Sequence, residues 1–319
     1  IGISAKQKAV HATSTRLGKK LLVSILNLSL LFIISVGVIG ISMGFGIFKG
    51  VIDTAPSIEN IKVTPTGFST FVYDLEGNQT AKLVSQNSNR IPVTWDMIPQ
   101  DLADAFVAVE DQRFYEHNGI DIKGIIRAAY IGISHGFHFT EGASTITQQL
   151  LKNNVFTDWT SETGFADKLK RKIQEQYLAI ELSKSMSKEE VLLNYMNSIN
   201  LGQNTLGVQA ASMRYFNKSV NTLNLSECAV IAGITQNPSR LNPLTGAQAN
   251  GERRKRILDK MEQQGMITSG QKAEALADDV YARIQDIDVE TKSQATLYTY
   301  FTDEVITQVT EAMARQLGY

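Results

Sequence analysis

With 319 residues, 43% of them hydrophobic, the chain can enclose one sizeable globular core with appendages, which excludes a disordered protein. Its 31 basic and 32 acidic side chains leave a formal charge of -1, so nothing attracts nucleic acid globally and an anionic ligand must meet a local cluster of cations. A single cysteine, Cys228, excludes an internal disulfide framework; set in the apolar run Cys228-Ala229-Val230-Ile231-Ala232, it reads as a buried structural thiol.

Lys6, Lys8, Arg16, Lys19 and Lys20 precede residues 21–48, a run with no charged side chain. About 20 residues at about 1.5 Å each cross a hydrocarbon layer, so this run is long enough to span a membrane and too long for an ordinary signal-peptide core. A buried core helix would instead need partners apolar enough to surround it. Basic residues lie before the run and Asp53 and Glu59 after it, an asymmetry that predicts residues 1–20 in the cytoplasm and everything past the anchor outside the cell.

Residues 49–90 read as a linker carrying a β-hairpin. Thr54-Ala55-Pro56 and Thr64-Pro65-Thr66-Gly67 are turn material, residues 68–73 alternate in polarity, and Leu75-Glu76-Gly77-Asn78 supplies a turn before residues 80–84. Ile91-Pro92 and Ile98-Pro99 punctuate the entry to the main domain, residues 91–265, where Leu102, Ala105, Phe106 and Val109 recur at helical spacing. That helix delivers Glu110 at its end, where an edge-of-core position would raise its pKa toward general-base duty.

Further on, the pattern is mostly helical. Between residues 166 and 182, Leu169, Ile173, Tyr177 and Ile180 form one stripe, which predicts the buried face, with Lys168, Arg171 and Glu175 opposite. Ser187 with Glu190 three residues later is a capping box. A helix is expected from Ser226 to about Ile234, and Arg253-Arg254-Lys255-Arg256 opens another. Residues 266–319 read as a connector toward a further domain.

Four blocks carry the chemistry. The first is Glu110-Asp111 with Phe114, His117 and Gly119, the pattern EDxxFxxHxG. The second is Gly142, Ser144, Thr145, Thr147, Gln148 and Gln149, fitting GxSTxTQQ and followed by Lys152 and Asn153; its hydroxyls and amides suit sugar or phosphate oxygens. It is no nucleophile elbow, which needs a glycine two places after the serine. The third, Arg171-Lys172-Ile173-Gln174-Glu175, fits RKxxE. By itself it would be a surface ion pair at i, i+4 worth about 0.3–0.5 kcal/mol. The fourth is Lys188, Val191, Tyr195 and Asn197.

Together these blocks resemble the signature motifs of the peptidoglycan glycosyltransferases, found alone or at the N-terminal side of bifunctional class A penicillin-binding proteins. Arg253, Ile257 and Leu258 are similar to the family's fifth motif, with Tyr195 and Leu258 as structural residues. The resemblance covers about residues 90–260. It implies a mainly α, lysozyme-like glycosyltransferase domain behind one N-terminal transmembrane helix. It also implies the activity, polymerisation of lipid II into β-1,4 glycan strands with inversion and release of lipid pyrophosphate.

By that resemblance Glu110 is the base that takes a proton from the acceptor's 4-hydroxyl, and Glu175 accompanies basic residues near the pyrophosphate, with a tentative share in holding a divalent cation, magnesium or manganese. No organic cofactor is implied. Substrate contacts are expected from Asp111, Phe114, His117, Ser144, Thr145, Thr147, Gln148, Gln149, Lys152, Lys168, Arg171, Lys172, Lys188 and Asn197. Expected partners are lipid II, the growing glycan, membrane lipid and other proteins of cell-wall synthesis and division.

Residues 125–133 with Phe137 and Phe139 are apolar and sparsely charged; a buried helix and a membrane-surface segment explain them equally well. His135 and His138 lack a third ligand at metal spacing. Ser185-Met186-Ser187-Lys188 fits the SxxK motif of transpeptidases, but its lysine belongs to the fourth block and no KTG follows. Two rivals remain: a lysozyme-type glycan-cleaving enzyme, which also needs an acid in a cleft, and a catalytically silent scaffold that binds lipid II.

Overall fold

The structure is a computed structural model that describes residues 2–57, 59, 61–83, 89–136, 142–285 and 300–317. It divides into two compact units, Ile1–Ala55 and Pro56–Tyr319. The first is one helix, α1 (Gly2–Asp53). Within Lys20–Asp53 an 18-residue window has a mean hydropathy of 2.6 and no buried residue, so the helix is long and apolar enough to cross a membrane.

The second unit opens with the expected hairpin. Strands β1 (Thr70–Tyr73) and β2 (Gln79–Leu83) pair antiparallel, Thr70 opposite Leu83. The Asp74 carboxylate accepts from the backbone N–H groups of Glu76 and Asn78 at 3.0 and 2.8 Å, and Gly77 takes φ +83° to close the turn.

The rest is helical: α2 (Gln100–Glu110), α3 (Ile122–Ser134), α4 (Ile146–Asn154), α5 (Phe165–Ser185), α6 (Lys188–Ser198), α7 (Val208–Phe216), α8 (Leu225–Gly233), α9 (Ala247–Gln263), α10 (Ser269–Ala277) and α11 (Tyr300–Leu317). The core centres on α8, buried from Ser226 to Gly233 and packed against α2 and α9. A second layer sets α4 against α5 and α6. Phe106 of α2 meets Tyr195 of α6 edge to face at 5.8 Å, joining the two layers. Cys228 is fully buried, and burial pushes its thiol well up, as expected of a structural cysteine.

Three expectations shift. Helix α8 begins at Leu225 rather than Ser226, capped by Asn224 through a capping box with Glu227. Helix α9 opens at Ala247 rather than Arg253, because its first turns bury a polar residue: Asn250 donates to the carbonyls of Val230 and Leu241 at 3.2 and 2.8 Å. The third concerns α5, whose buried residues are Gln174, Glu175, Leu178, Ala179 and Leu182. The predicted stripe lies to one side: Leu169 is 48% exposed, and Ile173, Tyr177 and Ile180 are half-buried. Periodicity counts apolar residues, whereas α5 is rotated to bring a charged group inward, a burial that only ion pairing sustains.

These packing assignments predict unequal responses to truncation. Phe106→Ala should cost about 3–5 kcal/mol, whereas Leu169→Ala should change stability by less than about 0.5 kcal/mol; the thermal midpoints of the two variants in detergent check this.

Candidate active site

Glu110 is the last residue of α2. Leu102, Ala105, Phe106 and Val107 anchor that helix in the core, which holds the Glu110 carboxylate at the core's edge with 13% of its side chain exposed. Both its oxygens are engaged. Gln149 Nε2 donates to Oε2 at 3.0 Å, and Thr235 Oγ1 donates to Oε1 at 2.5 Å. Arg253 Nη2 of α9 lies 3.9 Å from Oε1. Burial lowers the Arg253 guanidinium's pKa, opposed by the charge of Glu110. Behind Gln149, the buried Tyr195 hydroxyl donates to Gln149 Oε1 at 3.0 Å. Burial, reinforced by the negative charge of Glu110, holds that phenol well above its usual range.

The neighbouring residue, Asp111, faces the other way. Its carboxylate pairs with His117 Nε2 at 2.9 and 3.0 Å and accepts from the Ile146 backbone N–H at 3.0 Å, so it joins the end of α2 to the start of α4. Thr145 caps α4 in a capping box with Gln148, and its hydroxyl donates to the Gly119 carbonyl at 2.6 Å. Gly119 sits at φ +87° with no room for a Cβ, which would fall 2.1 Å from the Ala179 carbonyl oxygen. Lys188 donates to the His117 carbonyl at 2.6 Å and lies 4.5 Å above the Phe114 ring. Burial lowers its pKa, against the pull of Asp111. Asn197 clamps the Val93 backbone, accepting from its N–H and donating to its carbonyl, both at 3.0 Å.

Asp111, Phe114, Thr145, Thr147, Gln148 and Asn197 are therefore buried, and His117 and Lys188 are tied to protein partners. The structure places these eight residues, expected as substrate contacts, inside the protein or on protein partners, with Thr147 Oγ1, Gln148 Nε2 and His117 Nδ1 buried and unpaired. In the SxxK look-alike the Ser185 hydroxyl donates to the Leu182 carbonyl at 3.2 Å and Lys188 to the His117 carbonyl, so neither is turned to the other, and Ser187 between them caps α6 with Glu190.

A second charged cluster lies on α5. The Glu175 carboxylate, with 1% of its side chain exposed, is gripped by Arg171 Nη1 on one oxygen and by Lys172 Nζ at 3.0 Å on the other. Arg171 Nε also reaches both oxygens of Glu162 at 2.9 Å. Burial alone would lower the Arg171 pKa, but Glu162 and Glu175 outweigh it and hold the group above its ordinary value. Lys172 extends to Ser144 Oγ at 2.7 Å, which draws the second motif to the third. Lys152 sits 3.5 Å above the Trp159 ring, near enough to feel Glu175, Arg171, Lys172 and Glu162; burial lowers its pKa. Lys168, one turn earlier on α5, is exposed.

Three cations thus surround two carboxylates, a surplus suited to an anion. The donor set does not fit a resident divalent ion: Glu175 has both oxygens on cations, and the described residues contain no group of three carboxylate, histidine or cysteine ligands. His135 turns its Nδ1 to its own helix at the Ile131 carbonyl, 2.9 Å away, while Phe137, His138 and Phe139 lie outside the described residues. Sequence reasoning missed Thr235, Glu162 and Trp159, and gave Arg253 no place beside Glu110. A hydroxyl closing the apolar helix α8 and the polar run Gln236-Asn237 after it were the available signals for Thr235; nothing in the sequence linked Glu162 to Arg171.

A carboxylate held by neutral donors at a core edge and a cation-rich cluster are thus joined through α4, which carries Gln149 on the one and Lys152 on the other. The family model described as Transglycosylase matches residues 76–262, more than half of the chain. The chain belongs to that family. It is 39% identical over 290 residues to penicillin-binding protein 1A of Clostridium botulinum (strain Langeland), covering 88% of this chain and 34% of the relative. To penicillin-binding protein 1A of Escherichia coli (strain K12) it is 39% identical over 227 residues, 71% of this chain and 26% of the relative. The chain spans about a third of the length of such relatives. A crystal structure of penicillin-binding protein 1A from Haemophilus influenzae overlaps 80% of this chain and 25% of its own at 24% identity and TM-score 0.39, too slight a likeness to bear on the fold.

Removing one partner of the buried ionic cluster should destabilise more than a surface pair would. Arg171→Met is expected to cost up to about 3–5 kcal/mol by leaving the buried Glu175 with Lys172 alone, and combining it with Glu175→Met should recover part of the loss; a double-mutant cycle on thermal midpoints tests the coupling.

Proposed function

We propose that this chain polymerises lipid II into β-1,4-linked glycan strands. The observation that carries the reading is the contrast between the two glutamates. Glu110 is exposed at one edge and held mainly by neutral donors, a setting that leaves a carboxylate able to take a proton. Glu175 is buried among cations and serves to orient them.

In the reaction, Glu110 takes the proton of the acceptor's 4-hydroxyl as that oxygen attacks the donor's anomeric carbon from the face opposite the pyrophosphate. The new C–O bond forms as the anomeric C–O–P linkage breaks, and the configuration inverts. Negative charge grows on the departing lipid pyrophosphate. Lys152, Arg171, Lys172 and Lys168 supply fixed positive charge for it, strongest in effect at the transition state because they are already in place. Ser144, drawn in by Lys172, offers a hydroxyl to the same anion. Any magnesium or manganese ion would come with the pyrophosphate rather than reside at Glu175, and would add charge neutralisation to that of the cations.

The apolar helix α1 supports an anchor in the cell membrane, and the basic residues before it support a cytoplasmic N-terminus with the catalytic unit outside. Helix α3 supports a second membrane association. Its Ile122, Ile126, Tyr130 and Ile133 form one uncovered stripe, each at least 60% exposed, so the buried-helix reading of this segment gives way to a surface-inserted one. The growing glycan and other cell-wall synthesis and division proteins are the partners this reading implies.

Incubation of the detergent-solubilised chain with labelled lipid II tests the reading. Wild type should yield long glycan, and Glu110→Gln should lower the rate by at least about 100-fold without lowering the thermal midpoint. Bound lipid II without elongation would point to a scaffold, and shortened glycan to a hydrolase. Separately, replacing Ile126 and Tyr130 by Ser should weaken sedimentation of residues 56–319 with anionic liposomes several-fold; unchanged sedimentation would remove α3 from the membrane.

A further inference from the structure

Thr235 follows α8 in the turn Ile234-Thr235-Gln236, with its side chain partly buried. Its hydroxyl has two oxygen neighbours, Glu110 Oε1 at 2.5 Å and the Ala232 carbonyl at 3.1 Å. A hydroxyl has one proton to donate and lone pairs with which to accept. It can therefore satisfy only one of these two acceptors at a time, and which one depends on Glu110.

We infer that Thr235 is a positioning residue for the general base, switching the direction of its hydrogen bond as Glu110 gains and loses the substrate proton. This rests on the glycosyl-transfer reading above. While Glu110 is ionised, the Thr235 hydroxyl donates to Oε1. Once Glu110 carries the acceptor's proton, that proton on Oε1 is donated to Thr235 Oγ1, and the threonine hydroxyl turns to the Ala232 carbonyl. Each state keeps its donors and acceptors matched once the acquired proton turns toward Thr235, and no heavy atom need move. Gln149 cannot do this, because its amide nitrogen only donates to Oε2 while its oxygen is held by Tyr195.

The groups facing Glu110 are Gln149 of α4, Tyr195 behind it on α6, Thr235 after α8 and Arg253 of α9. Among these, Thr235 makes the shortest contact. A hydrogen bond to an ionised oxygen is about twice as strong as one between neutral groups. Loss of the hydroxyl should therefore weaken the ionised form more than the protonated one and raise the pH at which Glu110 titrates.

The test compares Thr235→Val, which keeps the shape without the hydroxyl, with Thr235→Ser, which keeps the hydroxyl. Thr235→Val should lower kcat for lipid II polymerisation about tenfold, equivalent to about 1.4 kcal/mol of transition-state stabilisation. KM and the thermal midpoint should stay within experimental error, and the acidic limb of the pH–rate profile should move to higher pH. Thr235→Ser should restore both kcat and the profile. In parallel, 13C NMR titration of the Glu110 carboxyl should show an upward midpoint in Thr235→Val and not in Thr235→Ser; this readout needs no turnover. An unmoved Glu110 titration in the valine variant, or equal losses in both variants, would overturn the inference. Full activity in Glu110→Gln would instead overturn the assignment of the base, and with it this role, whereas inactive Glu110→Gln beside fully active Thr235→Val would remove Thr235 alone.

Discussion

The carboxylate of Asp111 is the joint on which the site depends. It leaves α2 immediately after Glu110 and accepts from His117 and from the backbone N–H that opens α4. One short acidic side chain thereby fixes the end of one helix, the loop after it and the beginning of another. Gln149 lies one turn into α4, so its reach to Glu110 follows from that joint. The surrounding contacts brace it: the Lys188 ammonium on the His117 carbonyl, the Thr145 hydroxyl on the Gly119 carbonyl, and the close passage of Gly119 over α5. A charged group buried this way is tolerated because each oxygen has a donor; without them, burial would be strongly unfavourable.

The two glutamates show how one residue type is given different work by its surroundings. Glu175 sits at the centre of an ion-pair network, where removing a cation would strand a buried charge. Such a network is weak evidence for stability but good evidence for a fixed electrostatic arrangement, since Arg171 and Lys172 are held in register with Ser144 and Glu162 before any substrate arrives. Among the described residues the cation nearest Glu110 is Arg253, 3.9 Å from Oε1, and the donors to its carboxylate are an amide and a hydroxyl. Neutral donors orient this carboxylate where Glu175 is held by direct ion pairs.

The exposed apolar residues follow a pattern of their own. On α3 they form a single stripe, while the small residues Gly124 and Gly132 are the buried ones. Asp121 caps this helix at Gly124 and is held by Arg113, whose proximity keeps the Asp121 carboxylate below its usual range although burial works the other way. The helix is thus well fixed at its start and uncovered along its apolar length. On α5, Phe165 and Leu169 are also exposed, because the same helix turns its charged face inward. Hydrophobic area is left outside where the core is occupied by the site.

The long apolar helix, the hairpin, the helix ending at Glu110, the cap of α6 at Ser187 and the buried Cys228 were legible in the sequence, because each is encoded by local periodicity, turn chemistry or composition over a few neighbouring residues. It also singled out Glu110, Gln149, Arg171, Lys172 and Glu175 through motif spacing. Which polar residues of the motifs are tied to distant protein partners followed from packing alone. Asp111, Thr145, Lys188 and Asn197 look like ligands in a linear motif, yet their partners lie far along the chain. The rotation of α5, the pairing of Glu162 with Arg171 and the approach of Thr235 to Glu110 across 125 residues were likewise settled by packing. Such contacts depend on where separate helices meet, and a hydrogen bond over that sequence distance leaves no local pattern to read.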